Sequence, residues 1–150
     1  MRKHRVIHKS SKSIIIPQVP QNVLTSDGRF YVLTPAVGIY IDMTSSVAVD
    51  EFTGTFDMNQ KEVYENDLVE VGLRFISDEK NDHIGWVKAH AIVVYNEQEM
   101  GWNLEVLTPQ YKDMPPETEW DIHLVIGNRW QSGEVVERLR LGAVVSNATS

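Results

Sequence analysis

The chain has 150 residues, 42% hydrophobic and 23% charged, with a formal net charge of −7. Such a length and balance describe one ordinary globular domain able to bury a core, and they exclude wholesale disorder. There is no cysteine, which excludes disulfide frameworks, cysteine-ligated zinc, iron–sulfur clusters and thiol nucleophiles.

The charge is unevenly placed. Residues 1–12 hold Arg2, Lys3, Arg5, Lys9 and Lys12 and no acid, while the other nine Lys/Arg face all 21 Asp/Glu, leaving the rest at −12. A body this acidic repels phosphate backbones. The basic arm reads as a frayed terminus, or else as five phosphate contacts made by those same side chains. After it, Ile14-Ile15-Ile16 ahead of Pro17 is too short for a secretion signal. No apolar run approaches the roughly 18 residues of a membrane helix. A soluble intracellular protein is the expectation.

Along the chain the dominant period is two. Residues 13–21, with Pro17 and Pro20, read as extended. Asn22–Thr25 and Arg29–Leu33 flank Ser26-Asp27-Gly28, a hairpin signal because glycine supplies the positive φ of the turn. Gly38–Met43 and Val47–Phe52 read as two more strands, and Asn59–Asp67 as one helical turn. Leu68–Phe75 sets Val69, Val71, Leu73 and Phe75 inward against Glu70, Gly72 and Arg74 outward, the pattern of a half-buried strand. Residues 78–82 are a polar loop. Ala91–Tyr95 is a β-branched central strand and Trp102–Val106 alternates again. A loop carrying Pro109, Pro115 and Pro116 leads to Trp120–Ile126, with Trp120, Ile122, Leu124 and Ile126 inward. Ser132–Arg140 reads as a short helix, capped by Ser132 and supported by Glu134 and Arg138 at i,i+4. Residues 146–150 are a flexible tail. Many short strands separated by turns define an all-β protein, a barrel, sandwich or coiled sheet.

The stretch FTGTFDMNQKEVYENDLV, residues 52–69, resembles the signature of the YopX family of bacteriophage and prophage proteins. The matches are Thr53, Gly54, Asp57, Asn59, Lys61, Glu62, Tyr64, Glu65, Asp67 and Val69, with Val63 and Leu68 conservative. Gly85-Trp86-Val87, Ile92–Tyr95, Val125–Asn128 with Gly127, and Glu134–Glu137 come next in the family's order, so the resemblance covers about residues 47–138. Gln60 and Asn66 stand where the family has glycine, and Met1 to Ser13 lacks its lysine–arginine–aromatic–aspartate opening. The resemblance implies a mainly antiparallel coiled or bifurcated sheet with a small SH3-like barrel portion and one or two short helices. Residues 1–46 are then a basic arm with a divergent hairpin region, 47–145 the YopX-like β domain, forming one compact unit with the N-terminal strands, and 146–150 the tail. The motif itself is chiefly structural. Gly54 supplies a backbone angle, Asp57 and Asn59 close turns with their side chains, Tyr64 needs a partner for its hydroxyl, and Glu65 and Asp67 deliver the chain into the next strand.

No chemistry stands out beside it. Asp57-x-Asn59-x-Lys61 begins like a calcium loop but lacks glycine at the sixth position and glutamate at the twelfth. His4, His8, His83, His90 and His123 show no ligand spacing. Nucleophile elbows and phosphate loops are absent. We therefore expect no catalytic residue, metal or cofactor. Trp86, Trp102, Tyr111 and Trp130 are the candidates for partner contact, because Trp and Tyr dominate binding hot spots.

The leading functional expectation is a phage-encoded interaction module in the host cytoplasm. It engages a host or phage protein, as an inhibitor or DNA mimic among other modes, and forms a homo-oligomer as one option. The alternatives are a nucleic-acid binder using the basic arm, and a small-ligand or nucleotide binder in an oligomer cleft. The resemblance implies phage origin and fold but no activity.

Overall fold

The computed structural model describes residues 3–15, 22–34, 36–74, 85–113 and 118–142. Arg2, Pro17, Pro20, Phe75, His83, Pro115, Pro116, the 78–82 loop and the 146–150 tail lie outside them. The elements are β1 (His4–His8), β2 (Ile14–Ile15), β3 (Asn22–Leu24), β4 (Phe30–Thr34), β5 (Ile39–Asp42), β6 (Val47–Phe56), β7 (Glu62–Tyr64), β8 (Asp67–Arg74), β9 (Val87–Asn96), β10 (Gly101–Val106), β11 (Glu119–Asn128) and α1 (Gly133–Arg140), with 3-10 turns at Thr44–Ser46 and Pro109–Tyr111. The strands pair antiparallel, and the protein is all-β. No helix among the described residues is long and apolar enough to cross a membrane. Internal contacts divide the chain into two compact units, Met1–Phe52 and Thr53–Ser150.

In the first unit β1 lies between β2 and β6, and β3-β4-β5 form a second sheet. From Lys3 onward the basic stretch is therefore not frayed. Val6 and Ile7 are fully buried, and Val6, Phe30 and Val47 form a core joined by Ile15, Leu24, Val32, Met43 and Val49. Apolar burial outweighs the charges flanking this short strand, each such side chain contributing about 1.5–3 kcal/mol. The β3–β4 hairpin closes as the Asp-Gly signal requires. Gly28 adopts φ +84° and the Thr25 amide donates to the Arg29 carbonyl at 2.8 Å.

β6 runs past Phe52 and is bonded to β7. The second unit is dominated by an open sheet in the order β10-β9-β8-β11. β10 and β11 are its free edges, so the described strands do not close the small SH3-like barrel expected from the sequence. β8 is central and buried on both faces, not one. Val69, Val71 and Leu73 join Val63, Ala89, Ala91, Val93, Leu104 and Val106 on one side. Leu68 joins Ile92, Leu107, Val136 and Leu139 on the other, where α1 lies. Period two in β8 marks two covered faces of different chemistry, as a central strand allows.

Two further readings change. Bulges between Ile122 and Leu124 and between Val125 and Gly127 interrupt β11. Each extra residue switches the face of the residues beyond it, so Ile122 and Val125 pack on one cluster and Ile126 on the other. Trp120 stays 36% exposed rather than inward. The helix forms over Gly133–Arg140, but Ser132 makes no side-chain cap bond. Glu134 and Arg138 do not pair; Arg140 instead reaches Glu137 at 3.3 Å and Glu105 at 2.9 Å.

Candidate interaction surface

The motif at residues 52–69 builds two turns around a short strand, not the helical turn expected at Asn59–Asp67. Thr53 Oγ1 donates to the Val63 carbonyl at 2.7 Å, and Gly54 adopts φ +85°. Asp57 is the hub. Its Oδ1 accepts the Asn59 and Lys61 amides at 2.8 and 2.9 Å, and its Oδ2 accepts the Val125 amide of β11 at 2.9 Å. Burial is the largest influence on this carboxyl and opposes ionisation. The Val125, Lys61 and Asn59 amides, with the Lys61 charge, together outweigh it and hold the pKa below its ordinary value. Asn59 contributes its backbone amide, and its residue is exposed. Gln60 and Asn66 adopt φ 65° and 66°, so both turns keep the left-handed geometry for which the signature uses glycine.

The second turn is pinned between strands. Asn66 donates its amide to the Val93 carbonyl at 2.7 Å and accepts the Arg129 amide at 2.8 Å. Buried Asp67 accepts the Tyr64 amide at 2.8 Å, the Tyr64 hydroxyl donates to Glu62 at 3.1 Å, and Glu65 is half-buried. At the end of β11, Asn128 Oδ1 accepts the Trp130 and Gln131 amides at 3.0 and 2.8 Å and turns the chain toward α1. A Cβ on Gly127 would stand 2.3 Å from Ser132 Oγ and 3.1 Å from its Cβ, so any side chain there must displace Ser132. These residues fix the register of β8 against β9 and β11.

That register assembles a polar face. Glu70 pairs with His90 and Gly72 with Lys88, and the same register continued by one step sets Trp86 opposite Arg74. The Arg74 guanidinium lies 5.1 Å from the Trp86 ring centroid, a cation–π contact. Arg74 also pairs with Glu119. A Cβ on Gly72 would lie 2.9 Å from His123 Nε2 and 3.1 Å from Trp86 Cε3. Both rings therefore converge over this one bare backbone position. His123 Nε2 is 3.9 Å from Asp121, and the Lys88 ammonium is 3.4 Å from Glu70, which is only 7% exposed. Burial, the largest cause, pushes the His90 pKa down, with Glu70 raising it and Lys88 lowering it. Trp86 keeps 51% of its surface exposed. Among the described residues no three His, Asp or Glu side chains converge as a metal site.

The four aromatic candidates are not brought together. Trp102 stacks edge-on against Tyr95 at 5.2 Å, and both Trp102 and Tyr111 pack on the apolar cluster of the opposite sheet face. Trp130 is half-buried in the turn that Asn128 closes. Of the basic residues, Arg5 is held at 2.8 Å by Asp50, which is fully buried, and Lys3 lies over the Phe52 ring at 5.9 Å. Lys9 and Lys12 sit at the exposed β1–β2 connection. Sequence reasoning missed Arg74, Gly72 and His123 as neighbours of Trp86. The available signal was the even-numbered set Glu70, Gly72, Arg74 facing Trp86, Lys88, His90 across a hairpin.

The geometry defines a class: an open antiparallel β protein whose 52–69 motif is a turn-and-register device, with a mixed aromatic and charged sheet face beside it. The family model described as YopX protein matches residues 5–137, and the chain belongs to that family. The match reaches back through the N-terminal strands, further than the 47–138 resemblance. No curated protein matches the chain. The crystal structure of protein EF1440 from Enterococcus faecalis is similar, at 17% identity and a TM-score of 0.46, covering 91% of this chain and 98% of that one.

Proposed function

We propose that this YopX protein is a phage-encoded interaction module that engages a host or phage protein in the host cytoplasm, through the sheet face centred on Trp86, and performs no catalysis. One observation carries the reading. Trp86 is half exposed yet held in place, with Arg74 on its ring and the glycine gap of β8 beneath it. A large aromatic that loses little conformational entropy on binding, rimmed by Glu119, Asp121 and Lys88, has the make-up of an interface hot spot. The test compares proteins captured from infected cells by the wild-type chain and by Trp86→Ala. A specific partner retained by the first and lost by the second, with unchanged unfolding, supports the reading. Identical capture by both refutes it.

Self-association is a second reading with its own observation. β5 is an edge strand whose Ile39 and Ile41 are 59% and 49% exposed, although Val32, opposite Ile41 on β4, packs against the Val6–Phe30–Val47 core. Edge strands of this kind pair with further strands. Sedimentation of the wild type and of Ile41→Lys decides it: a dimer abolished by the lysine supports the reading, and a monomer at every concentration removes it.

A further inference from the structure

The Trp86 face carries one charge that the fold does not neutralise. Strand register sets out the charges there. Glu119 lies opposite Arg74 and Asp121 opposite Gly72, so both acids share the sheet face of Trp86. Arg74 pairs with Glu119. Lys88, across from Gly72 on β9, turns to Glu70 at 3.4 Å. In the turn bonded to β11, Asp57 and Lys61 offset one another. Asp121 remains. Its side chain is 68% exposed and accepts no hydrogen bond among the described residues. The group nearest to pairing with it is His123 Nε2 at 3.9 Å, beyond hydrogen-bond reach.

The residue opposite Asp121 is the reason. Glycine at position 72 has no side chain, so the cation that Arg74 gives to Glu119 has no counterpart for Asp121. The His123 ring and the Cε3 edge of Trp86 stand over Gly72 instead, at 2.9 and 3.1 Å from where its Cβ would be. Asp121 and the exposed part of Trp86 thus flank one backbone position. Arg74 shows which cation suits such a pair. Its guanidinium lies 5.1 Å from the ring centroid while it also holds a carboxylate. A guanidinium is planar, so it can stack on an aromatic ring and bond a carboxylate at once, whereas an ammonium is a point charge. Among the described residues no second cation lies over Trp86, and the residue is 51% exposed. The unit that carries this face, residues 53–150, has eight Lys/Arg against seventeen acids. Such a field draws a basic partner and repels an acidic one.

We propose that the Trp86 face binds an arginine in a basic segment of its protein partner, with the guanidinium stacked on the exposed part of the Trp86 ring and paired with Asp121. This rests on the Trp86 face being the interaction surface. The arginine completes the row of ion pairs at the position where β8 has only Gly72.

The test titrates the full chain into a labelled peptide of alternating glycine and arginine, and into the same peptide with lysine or neutral citrulline in place of arginine, read by fluorescence anisotropy. The arginine peptide binds, the lysine peptide binds about fivefold or more weakly, and the citrulline peptide does not bind. Asp121→Asn removes no hydrogen bond of the fold, unfolds as wild type does and weakens the arginine peptide about fivefold or more. Trp86→Ala weakens it at least as much. Glu97→Gln removes the same charge from an exposed residue beyond the far end of β9, about 30 Å away, and changes the affinity less than about twofold. No binding of the arginine peptide overturns the proposal, as does equal binding of the lysine peptide. Equal losses in Asp121→Asn and Glu97→Gln overturn it too, since net charge alone would then explain the binding. The surface itself is tested separately: a partner protein whose binding is lost in Trp86→Ala but intact in Asp121→Asn overturns the arginine and leaves the Trp86 face standing.

Discussion

Asp57→Asn measures how far the family motif holds the second unit together. In the wild type one carboxylate accepts three amides, two from its own turn and one from Val125 of β11. A hydrogen bond to a charged acceptor contributes about 1.5–3 kcal/mol. Asparagine keeps one oxygen for the two turn amides, at roughly half that strength. It turns its own NH2 group toward the Val125 amide, so the tie to β11 becomes donor against donor. Losing that bond and halving the other two costs about 3–6 kcal/mol. Urea unfolding followed by tryptophan fluorescence reads this directly, because Trp86, Trp102, Trp120 and Trp130 all lie in the second unit. The pH dependence supplies a second check. Burial opposes ionisation, but the Val125, Lys61 and Asn59 amides and the Lys61 charge hold the folded pKa below the ordinary 3.8. The carboxylate's contribution is then complete above the unfolded pKa of about 3.9 and is lost as pH falls through the folded value. The gap between wild type and Asp57→Asn must narrow below about pH 4. A gap under about 1 kcal/mol at neutral pH, or one that persists unchanged into strong acid, refutes the reasoning. Asn59→Ala, which removes no observed side-chain bond, stays within about 0.5 kcal/mol of wild type.

Three more outcomes are expected. Gln60→Gly stabilises the second unit by about 0.5–1 kcal/mol and Asn66→Gly by less, because asparagine already tolerates positive φ better than glutamine; urea midpoints check the order, and destabilisation by Gln60→Gly contradicts it. Gly72→Ala places a methyl 2.9 Å from His123 and 3.1 Å from Trp86, so both rings move at a cost of about 1–2 kcal/mol, visible as a shift in tryptophan emission; an unchanged spectrum and midpoint would show that the rings do not converge there. Arg5→Ala leaves the fully buried Asp50 without its guanidinium partner and costs about 3–5 kcal/mol, measured by thermal unfolding of the chain; a loss below about 1 kcal/mol would return Arg5 to the role of a loose surface cation.

The strands of residues 22–34 and 87–128 were legible because alternation and the Asp-Gly turn are local signals. α1 was placed at the right residues, but from a Ser132 cap and a Glu134–Arg138 pair that the structure does not use. β1 was not legible. His4 and Arg5 look solvent-seeking until Asp50, 45 residues away, supplies the counter-charge. The two bulges in β11 were also invisible, because alternation continues through them in sequence while the face changes in space. The second covered face of β8 depends on α1, on His123 and on the absence of a side chain at Gly72, all of them tertiary facts. The candidate surface shows the same division: residue type alone marks Trp86, whereas Arg74 and His123 become its neighbours only through strand register.

The sharpest measurement is site-specific photo-crosslinking in infected cells, with the photoreactive side chain placed in turn at Trp86, Met100 and Leu141. All three positions are exposed, at 51%, 80% and 86%. A discrete adduct from position 86 and none from the other two is the predicted outcome. Silence at position 86, or the same adducts from all three, would mean that the Trp86 face is ordinary surface.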